Sequence, residues 1–165
     1  MAGETFDLDH RGAITMAEQG LTADNIRNLV LTWYSATNEH RPLGFLQAML
    51  SDGVEMRYPN VAGTMISKDA FRKWYEDVLV KYFDETHHVE AWEKIRTEGN
   101  HASATVCVRW EARSWTTGAP RSNYEAYLSR QRFEFARLPA QGRVVIAKKI
   151  VETFERVAPI FGVGA

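Results

Sequence analysis

The stretch THHVEAWEKIRTEGNHASATVCVRWEARSWTTGAPRSNYEAYLSRQRFEFARLPAQGRVVIAKKIVETFE, residues 86–155, decides the fold. Its runs of Val, Ile, Thr, Trp, Tyr and Phe break only at Glu98-Gly99-Asn100, Thr117-Gly118-Ala119-Pro120 and Pro139-Ala140-Gln141-Gly142. Gly, Pro and Asn supply turn geometry, whereas β-branched and aromatic side chains suit a pleated surface. The pattern predicts four antiparallel strands in a meander: Thr86–Thr97, His101–Thr116, Asn123–Leu138 and Arg143–Glu155. Strands of this length exceed the usual, so they must bend or bulge as they wrap around whatever covers them. In the second strand one phase reads Ala102, Ala104, Val106, Val108, Trp110 and Ala112, an apolar face for packing. The other reads Ser103, Thr105, Cys107, Arg109, Glu111, Arg113 and Trp115, a mixed face suited to a wet contact with a second copy of the chain.

Working back from this sheet, the chain turns helical. Thr22 is a good N-cap, and Ile26, Leu29, Val30 and Trp33 recur at helical spacing as an inner stripe. Arg41-Pro42 ends that helix and Pro42 suits a first helical turn, predicting a short second helix through Phe45, Leu46, Met49 and Leu50. Asp52-Gly53 then leads into a short strand with Val54, Met56 and Tyr58 on one face, ended by Pro59 and expected at the sheet edge. Ser67 caps a third helix whose stripe is Phe71, Trp74, Tyr75, Val78, Leu79 and Tyr82. Helices first and a curved sheet after, with no βαβ alternation, is an α+β order.

Size and charge bound the rest. A chain of 165 residues supports one core, with 1–21 as an N-terminal arm, 22–157 as a single domain and 158–165 as a tail. With 20 Lys+Arg against 21 Asp+Glu, no global field favours nucleic acid or an anionic membrane. No apolar run approaches the roughly 20 residues that span a bilayer. The single cysteine, Cys107, has no partner for an internal disulfide, and residues 1–20 carry acids and no signal-like apolar core, so a cytoplasmic address is expected. Aromatics make up 12% of the chain, enough to line a cavity or a subunit contact as well as a core.

Three helices, a short strand ending in Tyr58-Pro59, and a long meander opening with Thr86-His87-His88-Val89 resemble the nuclear-transport-factor-2-like superfamily over about residues 22–157. Local echoes are Thr32-Trp33-Tyr34, Met56-Arg57-Tyr58-Pro59 and Phe71-Arg72-Lys73-Trp74-Tyr75. The resemblance implies an α+β cone: helices packed in a curved, mainly antiparallel half-barrel, open at one end. Members include ketosteroid isomerases, limonene epoxide hydrolases, polyketide cyclases and scytalone dehydratase, and also ligand carriers and assembly modules. Similarity to scytalone dehydratase implies an acid–base histidine at His88 and a pocket tyrosine at Tyr58. The acid expected at the end of the first helix corresponds to Asn38, with Glu39 next to it. The expected second histidine has no counterpart between Thr105 and Trp115.

On residue chemistry alone, imidazole titrates near neutrality and so exchanges protons at working pH. His87 and His88 are adjacent on a strand and point to opposite faces, so they cannot share a metal, and a local bulge would exchange which one reaches the pocket. Residue chemistry and the resemblance together give His88, Tyr58 and Asn38 as catalytic candidates, Tyr58 and Asn38 by the positions the resemblance implies, with Tyr34, Trp33, Glu90, Trp92 and Trp110 as ligand-binding walls or donors. Glu90 has a competing assignment as the cross-strand ion partner of Arg109 or Arg113. The expected activity is acid–base chemistry needing neither cofactor nor metal, an isomerisation, dehydration, cyclisation or hydrolysis of a small apolar, aromatic or polyketide- or steroid-like molecule, in a homodimer. The competing expectations are a non-catalytic binding or dimerisation module, or a structural subunit of an oxygenase.

Overall fold

The computed structural model describes residues 20–59, 63–138 and 141–158. The expected arm before Gly20, the tail beyond Ala158, and the first half of the last turn lie outside the described residues. In chain order come α1 (Ala23–Asn38), α2 (Leu43–Ala48), β1 (Leu50–Arg57), β2 (Met65–Ile66), α3 (Lys68–Lys81), β3 (Tyr82–Glu98), β4 (His101–Ser114), β5 (Asn123–Leu138) and β6 (Arg143–Arg156). The strands make one six-stranded open sheet, ordered β2-β1-β6-β5-β4-β3. Its pairs are antiparallel apart from β1 and β6, which run parallel. None of the helices among the described residues is long and apolar enough to cross a membrane.

Local chemistry sets the helix starts. The Thr22 hydroxyl accepts from Asn25 N–H at 3.2 Å and the Ser67 hydroxyl accepts from Ala70 N–H at 3.4 Å, each taking one of the amides a helix start leaves unpaired. Ile26, Leu29, Val30 and Trp33 are all buried, so the predicted stripe of α1 is the face laid into the sheet. On α3, Phe71, Tyr75 and Val78 are buried while Leu79 is exposed. The second helix is shorter than expected. Leu50 joins β1 because Ile146 N–H donates to Met49 C=O at 2.8 Å and pulls this segment alongside β6. Nor is β1 the sheet edge: β2 returns to pair Glu55 with Ile66 and Met56 with Met65, so the edge is the two-residue β2.

β4 has the predicted alternation: Ala102, Ala104, Val106, Val108, Trp110 and Ala112 are all buried. The opposite phase is mostly half-buried, with Glu111 the exception, since it is buried and accepts the Tyr124 hydroxyl. The outer face of the sheet carries ion pairs: Arg109 to Glu90 at 3.0 Å, Arg130 to Glu93 at 2.7 Å and Arg132 to Glu134 at 3.1 Å. On the inner face, α1 and α3 close over Phe133, Phe135, Ile146 and the β4 residues to make the core. A polar cluster sits at one end of that core.

Candidate active site

β3 creates the cluster by breaking its own period. Its pairing with β4 slips between Phe83 and Thr86, between Val89 and Ala91, and between Trp92 and Lys94. Each slip places one extra residue on β3, and the first is at Asp84, whose φ of 51° is left-handed. Every extra residue reverses which side chains point inward. The buried or half-buried set is therefore Tyr82, Glu85, His87, Val89, Trp92 and Ile95. Counting back from Trp92 by twos lands on His88. The slip beside Ala91 puts His87 there instead, leaving His88 and Glu90 on the outer face, where Glu90 accepts from Arg109.

The His87 ring is stacked on Tyr34, with centroids 4.9 Å apart and planes at 16°. Its Nδ1 is 2.8 Å from Asn38 Oδ1 and 3.5 Å from the Thr37 hydroxyl, which itself donates to the Tyr34 carbonyl at 3.0 Å. With the Thr37 proton spent, both neighbours of Nδ1 are acceptors, so Nδ1 carries the hydrogen and Nε2 keeps its lone pair. Burial, aided by the charge of Lys149, lowers the His87 pKa to about 3. Its neutral form is therefore the working form across the physiological range.

Nε2 of His87 lies 3.9 Å from Glu85 Oε1. Glu85 is 8% exposed; Trp110 Nε1–H donates to its Oε1 at 2.8 Å, and its Oε2 is 3.1 Å from His40 Nε2. Burial outweighs those bonds and raises the Glu85 pKa. Behind the pair, Lys149 projects inward from β6, 2% exposed, with Nζ donating to the Tyr58 hydroxyl at 3.3 Å. Burial lowers its pKa to about 7, against the opposing pull of Glu85. Tyr58 is stacked on Trp74 at 4.3 Å, and burial raises its hydroxyl well above the ordinary phenol range. The Tyr34 hydroxyl donates to Gln131 Oε1 at 2.9 Å, and Gln131 continues through Ser129 to the Val108 carbonyl.

Of these groups, His87, Glu85, Tyr58, Trp74, Trp110 and Gln131 border a cavity of about 240 Å³. Its polar end is formed by His87, Glu85, Tyr58 and Gln131, and its other walls by Trp74, Val78, Tyr82, Trp110, Tyr127, Val151 and Phe154, with Lys81 and Glu125 beside them. Among the described residues, no group of three or more His, Cys, Asp or Glu converges as metal ligands do.

Of the residues singled out from sequence, Tyr58 and Trp110 line the cavity, while Asn38 and Tyr34 hold the His87 ring from behind. Trp33 is a core residue against Phe71, 1% exposed. Trp92 packs further along the sheet beneath the Arg27 guanidinium, outside the cavity wall. The sequence reading missed Glu85, Lys149 and Gln131. Glu85 fell just before the predicted start of β3. Lys149 shares its phase with Val145 and Val151, but Lys148 shares its phase with Val144, Ile146 and Ile150, so the alternation of β6 does not say which lysine is buried.

Solved structures superpose on this architecture over most of its length. Over 86% of this chain and 94% of its own, a nuclear transport factor 2-like superfamily protein from Salmonella enterica serovar Typhimurium superposes with a TM-score of 0.64 at 17% identity. The chain has the nuclear-transport-factor-2-like fold. A ketosteroid isomerase-like protein from Erwinia carotovora atroseptica shares this fold with a TM-score of 0.61 at 15% identity, covering 81% of this chain and 95% of that one. A hexachlorocyclohexane dehydrochlorinase, LinA type 2, gives 0.66 at 15% identity over 96% and 98%. No protein-family model and no curated protein matches the sequence.

Proposed function

We propose that the cavity is the active site of an enzyme that moves protons on a small, largely apolar ring compound without a cofactor. The observation that carries this reading is a base and an acid, displaced in opposite directions and 3.9 Å apart, at the polar end of one cavity. Two titratable groups pushed apart by their surroundings divide the acid and base roles. His87 holds a bare Nε2 to take a proton from carbon. Glu85, which keeps its proton to higher pH than an ordinary glutamate, gives one to an oxygen or leaving group on the same side. Such a pair suits elimination or a short proton shift, and fold neighbours named as an isomerase-like protein and a dehydrochlorinase support a chemistry of this kind. Asn38 differs from a carboxylate in giving His87 orientation without charge.

Volume narrows the substrate. An apolar cavity of roughly 150 Å³ takes a benzene, so about 240 Å³ takes one or two rings and leaves no room to enclose a four-ring steroid skeleton. A two-ring probe tests the base directly. 5-Nitrobenzisoxazole loses its C–H proton to a base as its N–O bond breaks, releasing a coloured cyanophenolate. The protein is expected to accelerate this elimination beyond the same concentration of free imidazole, and His87→Ala to remove the acceleration. A folded protein that binds the probe without accelerating it favours the passive binding module.

A further inference from the structure

Lys149 is a buried charged group that the proton-transfer reading leaves unused. An ammonium has three hydrogens to place. Among the described residues Nζ has one hydrogen-bond acceptor, the Tyr58 oxygen, and two ring faces, those of Tyr58 at 4.4 Å and Phe133 at 5.7 Å. The groups of opposite or like charge that act on it from β3 are Glu85 and His87, and His87 is neutral. A lysine buried this completely lacks a full counter-charge, and desolvation favours its neutral form. Tyr58 transmits that deficit to the cavity. Its ring is fixed against Trp74, its oxygen receives the lysine hydrogen, and among the described residues its own hydrogen has only the weak Met56 sulfur at 4.0 Å. A phenol that accepts from an amine on one side is a stronger donor on the other.

We propose that Tyr58 and Lys149 together form a subsite for an anionic oxygen, so that the preferred ligand is a one- or two-ring compound bearing an ionised hydroxyl or an oxygen that becomes anionic. Tyr58 touches the ligand, and Lys149 is a positioning residue that acts through it. The subsite rests on the cavity being a ligand site, and is independent of whether His87 is a working base. Ligand entry supplies the missing counter-charge, so a proton from solvent converts the lysine amine to ammonium as the anion binds.

Calorimetry with 4-nitrophenol, against 4-nitrotoluene as its uncharged isostere, tests this at about pH 8.5, where the phenol is ionised and Lys149, with its pKa lowered to about 7, is mostly neutral. Repeating the titration in buffers of different ionisation enthalpy counts the protons taken up. The expected result is that the phenolate binds about tenfold or more tightly than the toluene, with uptake approaching one proton. Lys149→Met should abolish the uptake and Tyr58→Phe the preference, while His88→Ala, on the outer face, keeps both. Equal affinities, or uptake that survives Lys149→Met, would overturn the subsite. Elimination activity with no phenolate preference would overturn it and leave the base intact. Preference and uptake without elimination would do the reverse.

Discussion

β3 and β4 are bonded to each other along most of their lengths, yet they obey different rules. β4 alternates without a break, and its inward residues were legible from period two alone. β3 slips three times against the same partner, and each slip reverses its faces. The regular strand supplies core: Ala104, Val106, Val108 and Ala112 are at most 1% exposed. The irregular strand supplies the polar groups of the candidate site, because a bulge re-aims a polar side chain into the core without moving the rest of the sheet. Adjacent residues of β3 thus have opposite fates: His87 is enclosed with Asn38 and Tyr34, and His88 faces outward. The same holds on β6, where Lys148 pairs with Glu55 at 3.3 Å at the surface and Lys149 is buried.

The histidine pair gives the largest expected contrast. With the benzisoxazole probe, His87→Ala should lower the rate by about 10²–10⁴-fold, the usual worth of a positioned general base, while His88→Ala stays within about twofold. Equal losses in the two variants would contradict the assigned faces.

The lysine pair comes next, and its sign is opposite to that of most core changes. The folded pKa of Lys149, about 7, lies below its unfolded value, so between those two pH values the unfolded chain binds more protons and stability rises with pH. Below about 7 the full penalty of burying this group is present. Lys149→Met should therefore raise stability near neutral pH by about 1–4 kcal/mol, as replacing buried charge by apolar packing can do. It should also flatten the rise in stability above pH 7. Lys148→Met should change stability by less than about 0.5 kcal/mol. Chemical denaturation at several pH values reads both.

Asn38→Asp sharpens the comparison at one hydrogen bond. A carboxylate against Nδ1 favours imidazolium and should raise the His87 pKa by about 1–3 units, moving the acid limb of the pH–rate profile upward from its wild-type position near 3. A limb that stays put would show that Asn38 does not orient this ring. The smallest effect is expected outside: Glu90→Gln breaks only the outer-face pair with Arg109 and should cost no more than about 1 kcal/mol.

These contrasts also mark how far the sequence could be read. Helix caps at Thr22 and Ser67, the α1 stripe and the β4 faces follow from short-range chemistry, and the structure has them where it predicts. The parallel partner of β1 does not, because a pairing between Leu50 and Ile146 is set by the whole sheet. Type and place were enough to name Tyr58 and Trp110, which line the cavity, and Asn38 and Tyr34, which contact the His87 ring. His87, Glu85 and Lys149 were not legible, since their direction depends on bulges, and a bulge leaves no mark in residue type when neither Gly nor Pro makes it. The bulge was foreseen as the event that would exchange His87 for His88, but its position was not.

The most direct measurement is an imidazole titration by ¹⁵N NMR, with His87→Ala and His88→Ala to assign the signals. If His87 is a buried neutral base oriented by Asn38, its signal should keep the pattern of a neutral ring with hydrogen on Nδ1 as the pH is lowered through the ordinary histidine range, because its pKa is lowered to about 3. A His87 signal that titrates in the ordinary range, or that shows the hydrogen on Nε2, would contradict the buried base.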